Sequence, residues 1–260
     1  MIVELIGCSG AGKTTLARAV RDRAGSERSI RMAVDLVIDR PGRRWIGNPH
    51  AINLVADIVT LPPFLRAWGR NREFVGFALD RLKRLAPSRF AKLNYSVNVV
   101  RRIGMHELAR RQDAAVTILA DEGTVLMAYQ LFVYNAAPLD PADIERFADL
   151  VPMPDRIVYV RAPIDVLVDR AMSRRDRRRE LATGDRAQVD HWMARARDVF
   201  DALAAAQPIR DRLLIVDNAH PQDQGTVVER IAAFIDERHP TGGLSPAPPD
   251  GPSSEASVAG

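Results

Sequence analysis

The sequence predicts an α/β fold in which a parallel sheet of about five strands lies between helices on both faces. Two observations predict it. Short apolar runs alternate with helical patterns along most of the 260 residues, and such alternation closes into a parallel sheet covered by helices. The first apolar run, MIVELI, passes straight into GCSGAGKTT (Gly7 to Thr15), a glycine-rich turn that opens a helix.

Taken in order, residues 2–6 read as a buried strand and 13–24 as a helix with Leu16, Ala17 and Val20 on one face, stopped at Gly25. A second strand is expected over Ile30 to Val34. The stretch VIDRPGRRWIGNPH reads as a loop from its Pro-Gly and Asn-Pro breakers. Helical patterns fill 51–112, with breaks expected at Leu61-Pro62-Pro63 and Ala86-Pro87-Ser88. AVTILA (Ala115 to Ala120) is a third strand, followed by a helix from Thr124 to Tyr134. RIVYV (156–160) is a fourth strand, with a helix from Pro163 onward, where proline suits the first turn. Asp185 to Ala206 is helical, RLLIV (212–216) is the last strand, and 221–238 the last helix. The tail from His239 is rich in Pro, Gly, Ser and Ala and is expected to be disordered. The domain therefore covers 1–238, with residues 41–112 as a helical acceptor-side insertion, 170–184 as an arginine-rich lid, and 239–260 as the tail.

Composition narrows the class. Hydrophobic residues are 47% and charged residues 27% of the chain, which is ordinary globular composition. No apolar run reaches bilayer-spanning length, and no signal peptide is visible. The single cysteine, Cys8, excludes an internal disulfide and fits a reducing, cytoplasmic compartment. Cys8 reads as a small filler in the loop rather than a redox sensor. The net charge is +4, unevenly spread: residues 66–111 hold 12 Arg/Lys against three acids, and 170–179 hold six arginines and one acid. Such clusters suit anionic partners, or simply solvated helix faces.

Gly7-x-x-x-x-Gly12-Lys13-Thr14 matches the phosphate-loop pattern, in the strand-before, helix-after context that the pattern needs. Glycines allow the tight turn and let backbone N–H groups approach phosphate oxygens. The helix starting near Lys13 adds its positive dipole end. Gly7, Ser9, Gly10, Ala11, Gly12, Lys13, Thr14 and Thr15 are thus the expected nucleotide-binding residues, with Lys13 on the β- and γ-phosphates and Thr14 on Mg²⁺. Lys13 is one of only three lysines against 34 arginines, placed where a compact point charge is wanted. Asp121 and Glu122 follow the third strand and emerge on the same sheet edge as the loop. They are the further candidates for Mg²⁺, with Asp121 the stronger.

At these residues the chain resembles the P-loop kinases of small molecules, especially the thymidylate kinase and deoxynucleoside kinase group. GCSGAGKTT resembles their phosphate loop, and ILADEG with TVLMAYQLF resembles their acidic motif and its helix. IVYVRAPIDVLVDRAMSRRDRRR resembles their fourth strand, following helix and lid, and LLIVDNAHPQD resembles their last strand and base-side loop. The chain departs from them where Asp121-Glu122-Gly123 stands in place of Asp-Arg-Tyr/Phe or Glu-Arg-Ser, and in lacking their motif after the second strand. The resemblance implies a P-loop NTPase three-layer sandwich and ATP-dependent, Mg²⁺-dependent transfer of the γ-phosphate to a small acceptor, such as a nucleoside, a nucleotide or a related metabolite. Arg170, Arg174 and Arg177 lie at helical spacing on one face, flanked by Arg175, Arg178 and Arg179; as a lid they would put Arg170 on the adenine and Arg174 or Arg175 at the transition state. No Asn-Lys-x-Asp guanine motif occurs.

On the acceptor side Asp35, then Asp39, is the candidate general base, and Arg43, Arg44, Trp45, Arg101 and Arg102 are candidate acceptor contacts. Phe64, Trp68, Phe74 and Phe77 have helix-core spacing. His106 and His191 stand alone, with no metal-ligand cluster. Two rival readings remain: a nucleotide-binding regulatory or scaffold ATPase, and a polynucleotide kinase. The second is disfavoured because the basic helices lack interleaved aromatics, which makes nucleic acid an unlikely partner. The expected partner is a small anionic or nucleoside-like acceptor, and a homodimer is compatible with the sequence.

Overall fold

The computed structural model describes residues 1–25, 29–38, 49–84, 89–134, 138–173 and 185–237. Five strands, β1 (Ile2–Ile6), β2 (Ile30–Met32), β3 (Thr117–Ala120), β4 (Arg156–Arg161) and β5 (Leu213–Asp217), form one sheet in the order β2-β3-β1-β4-β5. Every pairing is parallel; Glu4 of β1, for example, stands opposite Ala120 of β3 and Ile157 of β4. Chain order reverses on either side of β1, so the crevice beyond its carboxyl end is where such sheets bind ligands.

Nine helices are described: α1 (Lys13–Ala24), α2 (Pro49–Arg66), α3 (Trp68–Lys83), α4 (Arg89–Ala109), α5 (Pro141–Leu150), α6 (Ile164–Ser173), α7 (Arg186–Ala205), the single turn α8 (Gln207–Arg210) and α9 (Gln224–Asp236). They fall into two groups flanking the sheet. α1 packs on α9, while α7 packs on α5, α6 and the segment after β3. β1, β3 and β4 are almost wholly buried. Most of their side chains join those of α3 and the Phe74, Phe77, Phe132 and Phe147 ring cluster in one large core, while Ile2, Ile118 and Ala120 form a smaller cluster with Ala33 and Ala109. No helix among the described residues is long and apolar enough to cross a membrane.

Several sequence expectations shift. β2 ends at Met32, because Ala33–Leu36 winds into a 3₁₀ turn. The break expected at Pro62-Pro63 is absent: α2 runs through both prolines and ends at Arg66. The prolines leave the Ile58 and Val59 carbonyls without their usual helical N–H partners. Packing along α4 outweighs that cost. A Cβ at Gly104 would meet the Thr60 backbone, so the two helices touch main chain to side-chain-free main chain. The helix expected from Thr124 is instead a turn at Thr124–Leu126 followed by a π-helix, Tyr129–Val133, buried at all five positions. Arg195 donates from Nε and Nη2 to the Phe132 carbonyl at 3.2 and 3.0 Å, satisfying an acceptor that the widened turn exposes. Pro163 precedes rather than begins α6, and its carbonyl accepts the first helical bond from Leu167 N. Phe64, Phe74 and Phe77 are core, but Trp68 is half exposed. Asp39, Arg43, Arg44, Trp45, Arg174, Arg175, Arg177, Arg178, Arg179 and the tail from 239 lie outside the described residues.

Candidate active site at the carboxyl edge of the sheet

The loop between β1 and α1 has the backbone that its glycines foretell. Gly7, Gly10 and Gly12 take φ values of 132°, 87° and 95°, conformations that cost little only without a Cβ. The turn closes through Ala11 N to Cys8 O at 3.3 Å, and α1 begins with Leu16 N to Gly12 O at 2.9 Å. The ammonium of Lys13 spans the turn, donating to the carbonyls of Gly7 and Cys8, both at 2.8 Å. Ser9, Gly10, Gly12, Lys13, Thr14 and Thr15 line an open pocket of about 100 Å³, closed on the far side by Asp121, Glu122 and Leu126. A helix N-terminus beneath a glycine turn is a ready anion site. Cys8 is buried, and burial pushes its thiol up to about 11. It is therefore protonated filler, as its sequence context suggested.

The acidic loop lies directly across from Thr14. The Thr14 hydroxyl donates to Asp121 Oδ2 at 2.7 Å. A hydroxyl and a carboxylate held together at a phosphate loop form the hard-oxygen donor set that Mg²⁺ takes. Beneath them lies a feature that the sequence displayed and its reading passed over: an acid, Glu4, in the middle of an apolar strand. Glu4 is 1% exposed. Its carboxylate accepts from Leu126 N at 2.7 Å, Val125 N at 3.1 Å and the Thr124 hydroxyl at 3.4 Å. Burial raises its carboxyl to about 7, opposed by those hydrogen bonds and by Arg102. The group thus anchors the chain after Asp121-Glu122 to the central strand. Gly123 must be glycine, since a Cβ there would collide with the Glu4 carboxyl.

Arg102 completes this corner. It is 7% exposed and donates to Gly123 O at 3.0 Å, Asn98 Oδ1 at 3.2 Å and Glu122 Oε2 at 3.5 Å. Gln130, 8% exposed, faces Lys13, Ser9 and Arg102 across a small void, and its Oε1 has no hydrogen-bond partner among the described residues.

A second cavity of about 230 Å³ opens on the other side of the Thr14–Asp121 contact. Thr14, Asp121 and Glu122 belong to its wall as well as to that of the phosphate pocket. The rest of the wall comes from α1 (Arg18, Arg21), from α2 (Ile52, Asn53, Ala56) and from α4 (Asn98, Arg101, Arg102, Met105), with Met32 to Val34 at the end of β2. Arg18 and Arg21 follow Thr14 by four and seven residues, which puts all three on one face of α1. This is legible in the sequence once the helix is placed. Arg101 is held by Asp57, at 2.5 and 3.0 Å, and by Asn53 Oδ1 at 3.1 Å. Asp35 sits in the 3₁₀ turn but does not line this cavity; the carboxylates that do are Asp121 and Glu122.

A third cavity, about 300 Å³, lies on the opposite flank of the loop between Gly10, Gly12, Thr15, Leu16, Arg170, Ser173, Asn218 and Gln224. The guanidinium of Arg170 donates to Asn218 O and Ala219 O, both at 2.9 Å, and to Gly10 O at 3.4 Å. Its donors are therefore engaged by backbone, and it fastens the loop after β5 to the phosphate loop. Asn218, which the sequence reading did not single out, does the same from the other side, with Nδ2 on Ala11 O at 2.8 Å. Its signal was an asparagine just past the last strand.

Part of the basic 66–111 stretch is committed to ion pairs within the chain. Arg70 pairs with Glu107, Arg81 with Asp143, Lys83 with Asp80, and Arg101 with Asp57.

A parallel β2-β3-β1-β4-β5 sheet with a phosphate loop leaving its central strand is the P-loop NTPase fold. No family model matches the sequence, and no curated protein does. Solved structures similar to the chain include a deoxyadenosine kinase from M. mycoides with bound dATP, at 16% identity over 90% of this chain and 99% of that one, with a TM-score of 0.47. A shikimate kinase from Acinetobacter baumannii in complex with shikimate has 16% identity over 90% and 92%, TM-score 0.43. A shikimate kinase from Bacteroides thetaiotaomicron has 13% identity over 90% and 98%, TM-score 0.42.

Proposed function

We propose that the chain is a small-molecule kinase that moves the γ-phosphoryl group of ATP to an acceptor bound in the cavity between α1, α2 and α4. One observation carries this reading: the phosphate pocket and the second cavity share a wall made of Thr14, Asp121 and Glu122. A phosphoryl group leaving the loop would meet an acceptor there without crossing solvent. A nucleotide switch has no need of a second cavity at that point.

In this reading the loop amides and Lys13 bind the triphosphate, Lys13 exchanging its two carbonyl partners for phosphate oxygens. Thr14 and Asp121 would hold Mg²⁺, which neutralises phosphate charge when bound. Glu122, in the wall shared by the two cavities, accepts the proton of the attacking hydroxyl. The third cavity takes the base of the nucleotide, walled by Arg170 and Asn218.

Arginine outweighs acid around the acceptor cavity. Arg21 is paired with Asp22 and Arg101 with Asp57, whereas Arg18 is exposed on the same face. The acceptor accordingly carries an anionic group, a phosphate or carboxylate, at the end away from the reacting hydroxyl. The test is acceptor-stimulated ADP release with a panel of nucleosides, nucleoside monophosphates, sugar phosphates and hydroxy acids. Anionic members should stimulate at least about 10-fold over ATP alone. Arg18→Ala should raise KM for the stimulating compound by about 10-fold with little change in kcat, and Glu122→Gln should lower kcat by about 10². ADP release indifferent to every acceptor would mean that the protein is not a small-molecule kinase.

A further inference from the structure

Six large apolar side chains stand exposed among the described residues: Leu54, Ile58, Leu61, Leu65, Trp68 and Leu93. Four of them, Leu54, Ile58, Leu61 and Leu65, are spaced by four, three and four residues along α2, the repeat that places apolar groups along a single helical seam, and Trp68 follows as the first residue of α3. These five are 61%, 63%, 44%, 58% and 48% exposed. The line runs the length of α2 and turns the corner into α3, where Trp68 is fixed edge-on against buried Phe64 at 5.7 Å.

The seam is uncharged in a chain that is otherwise 27% charged. Within Pro49–Arg66 the only acid is Asp57, bound to Arg101, and the only Arg or Lys is Arg66 at the end. The opposite side of α2 is already used: Thr60, Ala56 and Phe64 are buried, and Thr60 lies against Gly104 of α4. A heptad-spaced seam buries itself against another helix of the same spacing.

We propose that α2 is a self-association surface, pairing with α2 of a second copy of this chain about a two-fold axis near Leu61. Three observations favour a second copy over another occupant. A two-fold places the same patch on both partners, so its complement is guaranteed by the chain itself, and Leu61 is the middle residue of the five. The absence of charge gives an oppositely charged protein or nucleic acid nothing to pair with. The area is sufficient: at about 200 Å² for a large apolar side chain, the exposed fractions amount to roughly 500 Å² per copy. Two copies thus present about 1,000 Å² on these residues, so a pairing that covers the seam together with its rim reaches the threshold for a specific interface. The pairing also bears on the cleft, because Ile52, Asn53 and Ala56 of the same helix form part of the acceptor cavity wall. A partner copy thus steadies that wall from behind. None of this depends on which acceptor is phosphorylated.

Sedimentation velocity on the full chain from about 1 to about 100 µM is the test. The wild type should be a dimer within that range. Ile58→Glu combined with Leu65→Glu should weaken association by at least about 100-fold with an unchanged far-ultraviolet circular dichroism spectrum, because both side chains are more exposed than buried. Leu93→Glu, off the seam, should leave association unchanged. Leu61→Cys gives a second readout that does not burden folding. Native Cys8 is buried, so oxidation should cross-link this variant and not the wild type. A wild type that stays monomeric throughout the range, or a double variant that remains a dimer, overturns the proposal. So does a monomer that co-sediments with phosphatidylcholine vesicles through the same residues, which would assign the seam to a membrane surface.

Discussion

Glu4 supports the site from beneath, holding the Thr124–Leu126 segment without lining the phosphate pocket or the cavities beside it. Its carboxyl is raised from 4.5 to about 7 by burial. The folded chain therefore binds this proton more readily than the unfolded chain. The associated stability is full below the unfolded value and is lost as pH rises through about 7, by roughly 3 kcal/mol in all. His106 lines the same small cavity as Glu4 and behaves oppositely. Burial lowers it from 6.5 to about 4, so its contribution is full above 6.5 and is lost as pH falls through 4. Between about pH 4.5 and 6.5 the two slopes offset one another. Glu4→Gln removes one of them. Urea unfolding of that variant should show stability rising with pH over this window and then levelling, while the wild type stays flatter and declines toward pH 7. Identical pH profiles for the two proteins would contradict the assignment. The clue was visible in MIVELI, where one acid interrupts a strand; what the sequence could not supply was the distant Thr124–Leu126 backbone that makes burial of that acid tolerable.

At the scale of elements, the strands and the first helix were legible because buried parallel strands and a glycine-to-helix turn leave local signatures. β1 and α1 fall where the periodicity and Gly7, Gly12 and Gly25 place them. Nothing local in the 124–134 sequence distinguishes a π-turn from plain helix; the segment is tied to Glu4 at Leu126 and to Arg195 at Phe132, both distant in sequence. The prolines of α2 misled for the same reason: propensity is a local prior, and contact with α4 decides the outcome. Gly104 is the position where this can be measured. Gly104→Ala places a methyl group against the Thr60 backbone, so the helix-propensity gain of about 1 kcal/mol should be exceeded by an overpacking cost of about 1–3 kcal/mol. Thermal melting should show a net fall in Tm, whereas a rise would mean that α2 and α4 are not pressed together there. The Arg170 and Asn218 links belong to this scale too. Arg170→Ala removes one of the two links between the loop after β5 and the phosphate loop and should weaken nucleotide binding by about 10-fold, read by calorimetry.

Among the described residues, three of the cavities flank one glycine turn, in the order that the proposed function assigns to base, phosphates and acceptor. That order follows from the sheet: β5, β1 and β3 deliver Asn218, the phosphate loop and Asp121 to one edge. The donor side was readable in the sequence because phosphate binding constrains a contiguous stretch. The cavity beyond it was readable only in part: Arg101, Arg102 and Glu122, singled out in the sequence, do line it, whereas Arg18, Arg21 and Ile52 join them only after folding and Asp35 lies outside its wall. The central claim concerns where the phosphoryl group goes. ATP labelled at the γ-phosphorus, incubated with Mg²⁺ and a stimulating acceptor, should deliver its label to that acceptor, and Lys13→Ala should reduce the transfer by about 10²–10³. Label appearing only in inorganic phosphate, or transfer undiminished in Lys13→Ala, would contradict the account.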